Sequence, residues 1–151
     1  MRITDILTKE CVRVPLQTSE KVSAITELVD LLNSNGLLDD RNEVLGAVLA
    51  REATRSTGVG FGLAVPHGKS RGCRDLVMAV GKPAAPIEFQ APDGRPCNVI
   101  VLLASPVDKT GPHIQALAGI SRLWQTEEFR VAVAKAAAAE DLYNTIAQYS
   151  P

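Results

Sequence analysis

Residues 97–105 read CNVIVLLAS, and Val99 through Ala104 leave no polar position on either alternating face. Successive side chains of a strand point to opposite sides, so a strand apolar on both sides must be covered on both. This segment therefore implies a sheet with helices on its two faces and places 97–105 at the sheet's centre. A second strand is expected at DLVMAVG (75–81). Between the two, IEFQAPDG (87–94) is expected as a short strand ending in a turn at Asp93-Gly94. CVRVPLQ (11–17) alternates apolar and polar residues. Pro15 assigns it to an edge, where a missing N–H costs no ladder bond.

The remaining chain has helical spacing. Ser19 is expected to cap a helix with Val22, Ile25, Leu28, Val29 and Leu32 inward and Gly36 at its C-terminus. DRNE (40–43) reads as a capping box, Asp40 as cap and Glu43 three residues on. The helix it opens carries Val44, Leu45, Val48 and Leu49 on one side and should end near Arg55. Pro112 fits the first turn of a helix running to about Gln125, with Ile114, Leu117, Ala118, Ser121 and Trp124 inward. EEFRVAVAKAAAA and AEDLYNTIAQ complete the chain as helices. The expected fold class is α/β, a three-layer α/β/α domain spanning 1–151 with a central sheet of roughly four to five strands.

Several functional classes lose support. Lys and Arg number 16 against 17 Asp and Glu, so no basic surplus points to nucleic acid. No apolar run approaches the roughly 20 residues that cross a bilayer. The N-terminal MRITDILTKE is too polar for a signal peptide. Cys11, Cys73 and Cys97 are odd in number and far apart, which suggests neither a disulfide framework nor a thiolate zinc site. A reducing cytoplasm is the expected location.

The chain has two histidines, and one lies in GVGFGLAVPHGK (58–69). A dinucleotide loop needs Gly-x-Gly-x-x-Gly between a strand and a helix, whereas Gly58, Gly60 and Gly62 follow a helix and precede a strand-like stretch. Two readings remain. The glycines can simply serve tight backbone geometry, with His67 a surface loop histidine. Alternatively their N–H groups form a concavity for an anion, while Pro66 and Gly68 hold His67 rigid and approachable. Imidazole is a competent neutral nucleophile near pH 7. His113 follows Pro112 in the first helical turn, where backbone donors favour an anion; it could also merely pack on Leu117.

These residues carry a resemblance. GVGFGLAVPHGK, with Glu52 upstream, resembles the signature around the active histidine of enzyme IIA in the fructose/mannitol and nitrogen-regulatory class of the bacterial phosphoenolpyruvate-dependent phosphotransferase system. Glu52, Val59, Gly60, Leu63, Ala64, Val65, Pro66, His67 and Gly68 fill that signature. LAREATRSTG is similar to the family's arginine-containing helix end, GPHIQALAGISRLW to its second-histidine helix, and IEFQAPDGRP to the segment between its central strands. The bulky Trp124 is less usual in the pattern.

The resemblance implies a mixed sheet flanked by helices. It implies that His67 takes a phosphoryl group on Nε2, that His113 is the second active-site histidine, and that Arg51 lies near the site. It also implies an upstream donor, a histidine-containing phosphocarrier protein. Downstream, the nitrogen-regulatory branch implies regulatory targets such as kinases or potassium transporters. The sugar branch implies an enzyme IIB as acceptor, and a non-catalytic regulatory binding module is the third option. A domain opening with ITDIL is more similar to the nitrogen-regulatory branch. Transfer needs in-line approach and charge stabilisation but no cofactor or metal. Arg51 can contact the group or only cap helix-end carbonyls, and Thr57 can donate its hydroxyl or only shape a turn. Phe61, Leu63 and Val65 are expected to form an apolar rim around His67.

Overall fold

The computed structural model describes residues 1–151. Its sheet has six strands: β1 (Val12–Leu16), β2 (Gly58–Gly60), β3 (Leu63–Ala64), β4 (His67–Lys69), β5 (Val77–Pro83) and β6 (Val99–Ser105). The helices are α1 (Lys21–Ser34), α2 (Arg41–Thr54), α3 (Thr110–Trp124), α4 (Glu127–Lys135) and α5 (Ala139–Tyr149). Strand order is β1-β5-β6-β3-β2, with β4 also paired to β6, so β6 is central and β1 an edge, as their compositions require. The sheet is mixed. β5 runs antiparallel to β6, while β3 and β4 run parallel to it in succession.

Every residue of β6 is buried. Val99 and Val101 face Ile120, Trp124, Phe129, Leu142 and Ile146 of α3, α4 and α5. The alternate residues Ile100 and Leu102 point to the other face, where α1 and α2 pack across β5 and β4. The additional strand count relative to four or five arises at Pro66. Residues 63–69 run along one edge of β6, but the proline has no N–H to give, and the stretch divides into β3 and β4.

Four expectations need correction. Residues 87–94 form no strand; Ile87 and Cys97 exchange one isolated pair of bonds, and Gly94 turns the chain at φ 73°. Ser19 does not cap α1. Glu20 holds that position without a side-chain bond, and the backbone N–H groups of Gln17 and Thr18 are instead taken by the Glu27 carboxylate from within α1. Val22 is 57% exposed, outside the stripe of Ile25, Leu28, Val29 and Leu32. The buried stripe of α3 is His113, Ala116, Ile120 and Trp124, while Ile114 is 60% exposed. By contrast α2 begins at its predicted cap, where Asp40 Oδ1 accepts the N–H of Glu43 at 3.2 Å.

Candidate functional site

The glycine segment is a β-hairpin. β2 and β3 pair antiparallel around Phe61-Gly62, both at positive φ (54° and 89°), the backbone of a two-residue I′ turn. Gly62 is favoured by its positive φ, and a Cβ there would also force the Asn98 side chain, 2.5 Å away, to move. Asp93 accepts the Phe61 N–H at 2.9 Å, and the buried Trp124 indole donates to the Gly60 carbonyl at 3.0 Å. The large residue at 124 thus anchors the hairpin from α3.

This hairpin does not surround His67. Leu63 pairs with Val99 and His67 with Leu103, four residues farther along β6, a separation of roughly 13 Å at strand rise. The glycine N–H groups are therefore no anion concavity for His67. Nor do Phe61, Leu63 and Val65 rim it. Leu63 and Val65 are buried, and Phe61 projects at the hairpin tip between the guanidiniums of Arg95 and Arg130. The exposed apolar side chains adjoining the site in sequence are Val107 (57%) and Ile114 (60%), at the β6–α3 connection and the first turn of α3.

His67 begins β4 and is half-buried. Gly68 lets β4 lie against α2, because a Cβ there would sit 3.0 Å from Val48 N and 3.1 Å from Ala47 C. Its small size serves that close approach rather than access to the imidazole. His67 Nδ1 lies 2.8 Å from the Val65 carbonyl oxygen. A carbonyl only accepts, so Nδ1 carries the ring proton and Nε2 is left with a free lone pair. Burial lowers the His67 pKa; the Val65 bond and the Glu52 carboxylate oppose it, and Arg51 and Lys69 add to it. The net lowering favours the neutral ring.

His113 brings α3 to the same place. Its ring centroid is 5.4 Å from that of His67, with the planes inclined at 62°. It is buried, and its Nδ1 lies 2.7 Å from Ser105 Oγ at the end of β6. Burial, with smaller contributions from His67 and Lys69, pushes its pKa down to about 4. Lys69, on the far end of β4, donates from Nζ to Thr110 Oγ1 at 3.2 Å and so ties β4 to the start of α3. Sequence reasoning passed over Lys69 and Ser105; the only available signal was a polar residue closing an apolar strand.

Arg51 projects from the last turn of α2 and is near enough to His67 to depress its pKa. Its Nη1 donates to the Arg55 carbonyl at 2.9 Å, so part of the guanidinium caps the helix end. Thr57 is committed to Glu52. Its N–H and hydroxyl both go to the buried Glu52 carboxylate, at 2.9 and 2.5 Å. Glu52 also pairs with Lys21 Nζ at 2.9 Å, so this residue braces α2 and α1 against the start of the hairpin. No group of three or more His, Cys, Asp or Glu is placed to hold a metal ion, and the three cysteines are free and buried. No helix is long and apolar enough to cross a membrane.

The fold and its two facing imidazoles, one held at Nδ1 by a carbonyl and the other by a hydroxyl, define an α/β domain with a histidine pair between β4 and α3. A family model for "Phosphoenolpyruvate-dependent sugar phosphotransferase system, EIIA 2" matches residues 5–149, and the chain belongs to that family. It is 31% identical over 149 residues to the fructose-specific EIIABC component of Bacillus subtilis, spanning 99% of this chain but only 24% of that protein. It is 30% identical over 149 residues to the nitrogen regulatory protein of Bradyrhizobium diazoefficiens, with 97% and 95% covered. Among solved structures, nitrogen regulatory protein IIA-Ntr from Neisseria meningitidis superposes with a TM-score of 0.86 at 28% identity, covering 95% of this chain and 98% of that one. The chain is thus a phosphocarrier of the EIIA type.

Proposed function

We propose that His67 Nε2 is the phosphoryl acceptor, loaded from an upstream histidine-containing phosphocarrier protein. The observation that carries this reading is the 2.8 Å contact of His67 Nδ1 with the Val65 carbonyl, which reserves the ring proton on Nδ1 and leaves Nε2 bare. In the step, the Nε2 lone pair attacks phosphorus while the bond to the donor's ring nitrogen breaks. The electron pair of that bond returns to the donor ring. His67 keeps its Nδ1–H throughout, so it needs no separate base.

The arriving group carries up to two negative charges and little covalent help is required. His113 stands beside it as a hydrogen-bond donor, and Arg51 and Lys69 supply positive charge. Exposed Val107 and Ile114 provide apolar contact for a partner docking small enough to be transient. The chain acts in the cytoplasm.

The output of the phosphorylated chain is mainly regulatory: added charge at the docking surface changes which partners bind, kinases or potassium transporters among them. Support comes from the likeness to nitrogen regulatory proteins over nearly the whole chain. The second reading, transfer onward to an enzyme IIB of the fructose/mannitol class, is favoured by the equally similar fructose-specific EIIABC relative. Incubation with phosphoenolpyruvate and the two upstream components, followed by intact mass, tests the acceptor. One acid-labile, alkali-stable phosphoryl group is expected on the parent and none on His67→Ala; labelling that persists in the variant refutes the assignment.

A further inference from the structure

The end of β6 holds a polar group that the acceptor chemistry leaves unused. Ser105 is fully buried at the close of an otherwise apolar strand. Its position is set from two sides, by pairing with Lys69 of β4 and by the Ser70 N–H, which donates to its carbonyl at 2.9 Å. The hydroxyl has one hydrogen-bond partner, His113 Nδ1 at 2.7 Å.

A neutral imidazole has one N–H and one bare nitrogen, and a serine hydroxyl has one proton to give. Two arrangements fit the contact. If Nδ1–H donates to Oγ, the hydroxyl proton is left in a buried setting with no acceptor. If Oγ–H donates to a bare Nδ1, the sealed hydroxyl proton is used and the ring proton sits on Nε2, a nitrogen that is not itself fully buried. Leaving a buried donor unmade is the costlier outcome, so the second arrangement prevails.

We propose that Ser105 is a positioning residue for phosphoryl transfer: its hydroxyl holds His113 as the Nε2–H tautomer, so that this ring offers a donor to the group arriving on His67. The proposal rests on the assignment of His67 as acceptor. The two rings are then set in opposite tautomers by two different partners. The Val65 carbonyl, which only accepts, leaves His67 with a bare Nε2. The Ser105 hydroxyl, with its proton to place, leaves His113 with a protonated one. Were both rings bare at Nε2, the second would turn a lone pair toward the phosphoryl oxygens instead of a hydrogen. The tautomer matters because His113 is neutral; as an imidazolium it would donate from both nitrogens whatever its neighbour.

The test uses the full chain as parent, Ser105→Ala and Ser105→Thr. Side-chain ¹H–¹⁵N correlation spectra at pH 7.5 report which nitrogen of His113 is protonated, and backbone amide spectra report the fold. Transfer rates are measured from phosphoenolpyruvate through the two upstream components. The parent should show a bare Nδ1 and a protonated Nε2. Ser105→Ala should show mixed tautomers and transfer slowed roughly tenfold, the usual consequence of losing one such hydrogen bond. Ser105→Thr should restore both. A parent His113 protonated on Nδ1, or an alanine variant matching the parent in tautomer or in rate, overturns the proposal. Should the alanine variant not fold, the parent spectrum decides the contact, and a Ser105→Thr chain with the parent tautomer but tenfold slower transfer overturns the link to rate. A parent that takes no phosphoryl group on His67 overturns the transfer role together with the acceptor reading. The tautomer spectra of the same sample separate that failure from a failure of the Ser105 contact.

Discussion

Acid should destabilise this protein through His113 in a defined window. The side chain is 3% exposed and its pKa is pushed down to about 4, against about 6.5 for an unfolded histidine. Between those values the unfolded chain binds a proton that the folded chain refuses, so stability is complete above pH 6.5 and falls as pH drops toward 4. Below that it falls no further on this account. A gap of two and a half pH units corresponds to roughly 3 kcal/mol at the bottom of the window, most of it already lost at pH 4.5. His67, also lowered, loses stability in the same direction, so a variant is needed to isolate the His113 share. Urea unfolding of the parent and of His113→Gln at pH 7.5 and 4.5 provides it. With a slope on the order of 2 kcal/mol per molar, the parent midpoint should fall by about 1 M more than that of the variant. An equal fall in both proteins would show that His113 is not held neutral by burial and would refute the reasoning.

Replacing His113 with Ala should leave the sheet intact but slow phosphoryl transfer on the order of 10²-fold, from the cost of one lost transition-state donor; single-turnover kinetics at the parent rate would make it a packing residue. Gly68→Ala places a Cβ 3.0 Å from the backbone of α2 and should cost about 1–3 kcal/mol, read as a melting temperature lower by several degrees. A regulatory partner should bind unmodified and phosphorylated protein with different affinities, and by reciprocity should shift the phosphorylation equilibrium of His67. Pull-downs with both forms and His67→Ala check this, and recovery only of a sugar-carrier domain that becomes phosphorylated would refute the regulatory output.

Much of the architecture was legible in the chain because burial writes itself into periodicity. The uninterrupted apolar run of β6 required cover on both faces, and Pro15 belonged on an edge. Asp40 capped α2 because a short carboxylate can reach the N–H three residues on. The Pro66-His67-Gly68 signature pointed to the family. The helical phase of α3 was less legible. Counting apolar residues turned Ile114 inward, whereas His113 takes the buried position because Ser105 satisfies its ring nitrogen. A polar residue with a distant partner carries no hydrophobic signal.

Sequence alone determined the layers and the family, since each depends on residue type and short-range spacing. Only the tertiary structure decided what surrounds the two histidines. Gly58, Gly60 and Gly62 are close to His67 along the chain but lie at the far end of β6, because β3 and β4 extend the chain along a straight neighbour. His113, Ser105 and Lys69 come together from α3, β6 and β4 through sheet register and helix packing. The proton on each imidazole is set by the atom facing it, a carbonyl for one and a hydroxyl for the other, and such facing pairs exist only once the chain has folded.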